Sequence, residues 1–244
     1  MESLNNIVFA RIVQAEAERL GIRLDAKEVE DAHDLALENL RQLVQVQAPG
    51  MTIDEFVRDR LGMNPEAYRL RSRQYAIIAL LMTNVVRTWL LANDHAFVRM
   101  AALADETSLL EFKEALQQGG DFVALAKIYS LEPEEERGQL LPVARDEGFL
   151  ADIAFATPEG EIGGPFDLGG SKVLVLVEEK AEGLDSSWPL GEARVRKSLE
   201  RHPLAEYEFV QWREVMQQRY RIDFRPFFRL LYGADAVMEP DDDE

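Results

Sequence analysis

Apolar positions recur at helical spacing through the first third of the chain, alternate or run together through the middle, and return to helical spacing near the end. Ile7, Val8, Arg11, Ile12, Ala15 and Leu20 include an apolar stripe on a predicted helix over 4–20, which Gly21 stops. Asp25, with Glu28 three positions on, reads as a capping box for a second helix running to about 46, where Ala48-Pro49-Gly50 ends it. Thr52 and Glu55 repeat that signature for a short helix closing near Gly62, and Asn64-Pro65 opens a long helix to about 91. Helices in succession with short connections predict a bundle-like region.

The middle of the chain changes character. Weak alternation over 97–103 predicts a strand, and Thr107 reads as the cap of a helix to 118. Gly119-Gly120 ends that helix, and Asp121 caps another in which Phe122, Leu125, Ala126 and Tyr129 share a face. An acidic loop over 132–137, a short strand over 139–143 and a short helix over 149–155, broken by Pro158, follow. Gly160, the pair Gly163-Gly164 and Pro165 read together as a turn over 160–166. It feeds an unbroken apolar run over 172–177, suited to a strand buried on both faces. A linker over 182–189 leads to amphipathic helices over 190–201 and 204–219, separated by Pro203, then a short extended piece over 221–224. Phe209, Trp212, Val215, Met216 and Tyr220 form a large apolar stripe that needs a partner, and the opening helices are the nearest one. The fold class expected is α+β, a helical domain built from both chain ends with a small mixed-sheet unit inserted in it.

Composition narrows the function. The chain has 244 residues, ample for a proper core, and its apolar fraction of 47% argues against disorder. Lys and Arg number 27 against 45 Asp and Glu, a formal charge of -18. That balance lacks the basic footprint of a nucleic-acid binder and is repelled by anionic membrane surfaces. With no cysteine, disulfides, thiolate metal sites and a cysteine nucleophile are excluded. His33, His95 and His202 lie far apart, so neither a metal site nor any other cofactor is expected. The opening residues lack the basic flank and apolar run of a signal peptide, which fits either a cytoplasmic protein or a chain trimmed before this point. The most membrane-like stretch, 75–86, is short for a span and runs into Arg87, so a buried core helix is expected rather than a transmembrane segment.

The order of motifs in the middle region is informative. Gly120-Asp-Phe, Leu125-Ala, Tyr129-Ser, Arg137-Gly-Gln-Leu, Ala154-Phe, Gly160-Glu-Ile and Gly164-Pro, followed by a hydrophobic strand, resemble the parvulin-type peptidyl-prolyl isomerases over about 97–182. Glu16-Ala-Glu-Arg-Leu-Gly-Ile, Asp25-Ala-Lys-Glu-Val, Thr52-Ile-Asp-Glu-Phe and the long arginine-rich helix are similar to the N-terminal region of SurA- and PrsA-type foldases over about 7–87. Tyr220-Arg-Ile matches the end of the helix that returns to that region in the same family. The resemblance implies a helical chaperone-like region over 1–93, a parvulin-like unit over 94–183, returning C-terminal helices over 184–232, and an acidic tail over 233–244 that reads as solvated. It also implies unfolded or partly folded client proteins as partners and a place outside the cytoplasm, in the periplasm or cell envelope. Oligomeric state is not legible.

An isomerase works against a rotation barrier of about 18–20 kcal/mol, and does so by gripping the proline ring and stabilising a twisted amide. In the parvulin family this takes a pocket with apolar walls, a Cys or Asp near the carbonyl and a histidine pair behind it. Here the first histidine position falls on Ala101 or Ala102, and the second on Val173 or Lys172. Glu132 stands close to the Cys or Asp position, either as a longer carboxylate in that role or as an exposed glutamate in an acidic loop. Leu140, Phe149, Leu150 and Phe155 fall where the family has pocket walls or core. The resemblance therefore implies a folded domain that is weak or inactive as an isomerase, within a folding factor. An active prolyl isomerase and a non-chaperone adaptor for one partner are the alternatives, separated by a proline-exchange assay and by partner capture. Arg58, Arg60, Arg69, Arg71 and Arg73 form the one basic cluster, read as a solvated helix face.

Overall fold

The computed structural model describes residues 2–145, 148–184, 188 and 191–221. The expected extended piece after Arg221 and the acidic tail lie outside these residues. The fold is α+β, largely helical, with a four-stranded antiparallel sheet flanked by helices from both ends of the chain.

Local capping chemistry sets most of the helix boundaries. Helix α1 spans Glu2–Leu20, α2 Ala26–Gln47, α3 Ile53–Asp59 and α4 Pro65–Ala92. Thr52 and Glu55 make the full reciprocal capping box, and the Asn64 side chain accepts from the amides of Glu66 and Ala67. At α2 only half of the expected box forms. Asp25 accepts from the amides of Lys27 and Glu28, but the Glu28 carboxylate turns away to meet Arg196 with both oxygens at 3.2 Å. A charge-assisted pair outcompetes a single exposed amide.

Helix α4 is the hub. It is long and apolar enough to cross a membrane by length and composition, more than the short stretch at 75–86 foretells. Its stretch from Asn84 to Leu91 is instead largely buried in the protein, with Val85, Val86 and Leu90 inaccessible to solvent. Ile12, Val13 and Ala17 of α1 share a core with Val85 and Val86, with Trp188, with Val195 of α8 (Glu192–Arg201), and with Trp212 and Met216 of α9 (Glu206–Tyr220). Each such large side chain contributes about 1.5–3 kcal/mol on burial. A second cluster, including Val44, Phe56 and Val57, joins α2 to α3.

Between these ends sits the sheet, built from β1 (His95–Leu103), β2 (Leu140–Ala144), β3 (Ile162–Leu168) and β4 (Ser171–Ala181) in the order β2-β1-β4-β3. All neighbours are antiparallel, where a mixed sheet was expected. Helices α5 (Glu106–Gln117) and α6 (Phe122–Tyr129) cover one face through Phe112, Phe122 and Leu125, and α7 (Phe149–Ala156) covers the other. Helix α5 is capped by Asp105, whose carboxylate accepts from the Ser108 amide, and so begins before the expected Thr107. The segment expected as a turn over 160–166 turns only at its start. From Ile162 onward it is an edge strand whose register slips between Gly163 and Phe166, and bulged edges are where strands tolerate Gly and Pro. The central run is as expected, with Val173, Leu174, Val175 and Val177 buried on β4.

The chain enters and leaves the sheet region side by side. The Leu184 amide donates to Leu91 O at 2.8 Å, and the Gly183 amide donates to the Asp94 carboxylate at 3.0 Å. A Cβ on Gly183 would lie 2.5 Å from Ala92 O, so only glycine permits this approach.

Candidate functional site

The first candidate site forms where β2 stops short along β1. Beyond Arg99, β1 has no β2 partner, and the chain after α6 takes that place. The Leu131 amide donates to Ala102 O at 2.7 Å, and the Ala102 amide donates to the buried Ser130 Oγ at 3.0 Å. The Ser130 hydroxyl donates in turn to the Glu132 carboxylate at 2.9 Å. Arg137 closes the loop by donating to the carbonyls of Glu132 and Lys127, and Gly138 accepts from Arg99 at 2.6 Å. Gly138 has φ +67, and a Cβ there would press on Val123 and Ala126 at 3.3 Å.

Glu132 therefore lines a cleft of about 530 Å³ with Met100 of β1, Leu141 of β2 and Glu136 of the loop, and α9 forms the far wall through Tyr207 and Val210. Burial pushes the Glu132 carboxyl above its ordinary pKa, and the nearby Glu136 charge adds to this, against the opposing effects of the Ser130 hydroxyl and Arg137. Helix α9 is held here by Gln211, whose side-chain oxygen accepts from the Ala144 amide on the outer edge of β2.

The other expected site residues are not gathered around Glu132. Leu140 pairs with Arg99 in the ladder, and its neighbour Leu141 is the one that reaches the cleft. Leu150 is in the core beneath α7, with Phe155 at its margin under the Arg145 guanidinium, 4.5 Å from the ring centre. Phe149 is exposed and meets Phe166 edge to face at 6.0 Å. Ala102 lies opposite Val173 on the α7 side of the sheet, whereas Ala101 lies opposite Leu174 on the other. Lys172 is drawn to Asp167 and Glu106, which together raise its pKa, the hydrogen bond it donates to Asp167 being the largest effect. None of the residues at these positions carries an imidazole. Met100, Leu141, Tyr207 and Val210 were not legible as site residues. Tyr207 and Val210 fall off the stripe that α9 buries against the helices, and that second apolar face is the sequence signal that points to them.

The second candidate site flanks the N-terminal half of α4. On one side a groove of about 640 Å³ is lined by Ile7 and Phe9 of α1, Ile78 and Met82 of α4, and Phe209 of α9. On the other, a groove of about 590 Å³ is lined by Ala32 and Ala36 of α2, Met63, Tyr68 and Leu80. Tyr75 borders both and is 64% exposed, and Ile7 and Leu70 stand out to a similar extent. Of the arginine cluster, Arg69 pairs with Asp54 and Arg73 with Glu30. Among the described residues no group of three or more His, Asp or Glu is placed to hold a metal ion.

No protein-family model matches the chain, and no curated protein matches it significantly. Among solved structures it is similar to a PpiC-type peptidyl-prolyl cis-trans isomerase domain, with 24% identity, 39% of this chain and 98% of that one covered, and a TM-score of 0.34. It is similar to PrsA from Bacillus subtilis at 14% identity over 89% of this chain and 83% of that one, with a TM-score of 0.38. For the foldase protein PrsA from Streptococcus pneumoniae the identity is 16%, the coverage 95% and 91%, and the TM-score 0.34. These are loose superpositions at low identity.

The two candidate sites differ in kind. The grooves beside α4 are lined mainly by apolar side chains, with Arg11, Gln14, Arg71 and Gln74 among them. The cleft at Glu132 combines apolar walls with the Glu132, Glu136 and Glu206 carboxylates, and the Ala102 and Val173 pair carries no titratable side chain.

Proposed function

We propose that this protein is a SurA/PrsA-like folding factor that holds unfolded or partly folded client proteins in the grooves beside α4. In this reading 1–93 and 184–232 form the chaperone-like region, and 94–183 is a parvulin-like unit that is weak or inactive as an isomerase. The observation that carries it is the pair of open apolar grooves sharing Tyr75. Open apolar grooves of about 590 and 640 Å³ fall in the size range of ligand-binding clefts, about 300–1,000 Å³. Burying a client's apolar side chains there yields about 25 cal/mol per Å², and the net charge of -18 keeps a loaded complex soluble. The motif order shared with the parvulins and the foldase-like opening helices support the same reading, as does the absence of histidine at Ala102 and Val173. An extracytoplasmic setting follows from that resemblance.

The test is aggregation of a chemically denatured client followed by light scattering. Suppression at near-stoichiometric ratios, without added cofactor, is expected. Unchanged scattering at a fivefold excess would remove the chaperone reading. A proline-peptide exchange assay in parallel is expected to show no acceleration above background, and a rate that depends on Glu132 would establish an active isomerase instead.

A further inference from the structure

The cleft at Glu132 differs from the grooves beside α4 in its charge. Its floor is apolar, formed by Met100 and Leu141 against the Tyr207 wall of α9, while Glu132, Glu135, Glu136 and Glu206 stand around it. Among the described residues no basic side chain lines it. Arg137 lies near, but its guanidinium donates to main-chain carbonyls. The Glu132 carboxylate has a neutral hydroxyl, Ser130, as its hydrogen-bond partner, and Glu136 and Glu206 form no ion pair among the described residues. Glu132 is half-buried while Glu136 and Glu206 are exposed at the rim, and like charges around one groove favour a cation entering it.

We propose that this groove docks extended peptide segments in which a lysine or arginine is flanked by aliphatic or aromatic residues. The methylene stem of such a side chain lies along the floor while its charged head reaches the carboxylates. The apolar neighbours fill the rest of the volume, which is in the range of ligand pockets, about 300–1,000 Å³. An acidic segment is rejected by the same charges, so the groove discriminates by repulsion as well as attraction. Helix α9 supplies a wall of both surfaces, with Phe209 on the α1–α4 groove and Tyr207 and Val210 on this one. The basic subsite therefore adjoins an apolar one across the first turns of α9. The chaperone reading names the biological occupant, a client chain, but peptide binding in this groove stands or falls separately.

The experiment is fluorescence anisotropy on the full chain with a labelled peptide alternating Leu and Lys, one with Glu in place of Lys, and one with Ser in place of Leu. Only the Leu-Lys peptide is expected to bind, with its affinity falling as salt rises. The Glu132→Gln/Glu136→Gln double variant is expected to weaken it roughly tenfold. A control of equal charge change on α5, Glu111→Gln/Glu114→Gln, removes carboxylates far from the groove and is expected to leave the affinity unchanged. Equal loss in both double variants would mean non-specific attraction to an acidic protein and would overturn the proposal, as would equal binding of the Leu-Lys and Leu-Glu peptides. Full binding by the Ser-Lys peptide would remove the apolar floor from the account. Loss of aggregation suppression with peptide binding intact would overturn the chaperone reading alone.

Discussion

The Arg87 guanidinium on α4 and the Glu208 carboxylate on α9 meet through two bonds of 2.8 and 2.7 Å, both side chains being inaccessible to solvent. Ser198 Oγ accepts from Arg87 at 2.8 Å, and the Ala205 amide donates to Glu208 at 3.0 Å, so both charged groups are further satisfied. This pair fixes where the returning helices sit on the opening ones. Removing one partner strands a buried charge, so Arg87→Met or Glu208→Leu alone is expected to cost about 3–5 kcal/mol in urea unfolding. The double substitution is expected to recover most of that loss, because apolar groups of similar volume replace the pair together. A double variant as unstable as the worse single one would mean the pair is not coupled.

A second buried carboxylate ties the same ends from the other side. Glu16 of α1 accepts from Tyr220 at 2.7 Å, from Arg219 at 3.1 Å and from Arg19 at 2.7 Å. Burial alone would raise its pKa, but the hydrogen bonds from Arg19 and Tyr220 and the two guanidinium charges outweigh it, and the net shift is downward. In acid the unfolded chain therefore takes up this proton before the native one does. The stabilisation is complete above the ordinary carboxylate range and is lost as pH falls through the lowered native value. Glu16→Gln is expected to flatten that acid limb of the stability curve, and Tyr220→Phe to cost about 1 kcal/mol at neutral pH. Thermal melts between pH 3 and 7 check both.

Glu132 carries the opposite sign. Its native pKa is raised, chiefly by burial, so the native state holds the proton longer than the unfolded chain. Stability then declines as pH rises from the ordinary value through the raised one, and the full cost is present at neutral pH. Glu132→Gln keeps an oxygen for the Ser130 hydroxyl and is expected to raise Tm at pH 7.5 by up to about 2–4 °C, the equivalent of about 1 kcal/mol in a chain of this size. At pH 3.5 the two proteins are expected to melt together. A variant that melts lower at pH 7.5 would place the carboxylate in a stabilising contact instead.

The helices were legible because their ends are written locally. Thr52, Asn64 and Asp121 each cap where their side-chain chemistry places them. Thr107 and Glu28 misled because each had a competitor, a neighbouring one for Thr107 and a distant one for Glu28. Asp105 caps α5 two positions earlier, and Glu28 is taken by Arg196 from far along the chain. Strand β3 was hidden because Gly163, Gly164 and Pro165 are turn residues by propensity, while pairing with the strongly apolar β4 overrides that preference at an edge. The site was less legible than the fold. Glu132 could be singled out from its motif, but its neighbours Met100, Leu141 and Tyr207 come from three separate elements, and only the docking of α9 on the β2 edge brings Tyr207 there.

Tyr75 separates the chaperone reading from its structural background. It stands out to solvent between the two grooves, and the Arg71 guanidinium lies 6.0 Å from its ring centre. Because it is not buried, Tyr75→Asp is expected to change stability by about 0.5 kcal/mol or less. The same change places a charge where a client's apolar side chain would dock, and desolvating an unpaired carboxylate is costly. Aggregation suppression is expected to fall about tenfold, while Tyr75→Phe is expected to retain it. Full activity in Tyr75→Asp, with an unchanged melting curve, would mean that clients do not use the grooves beside α4.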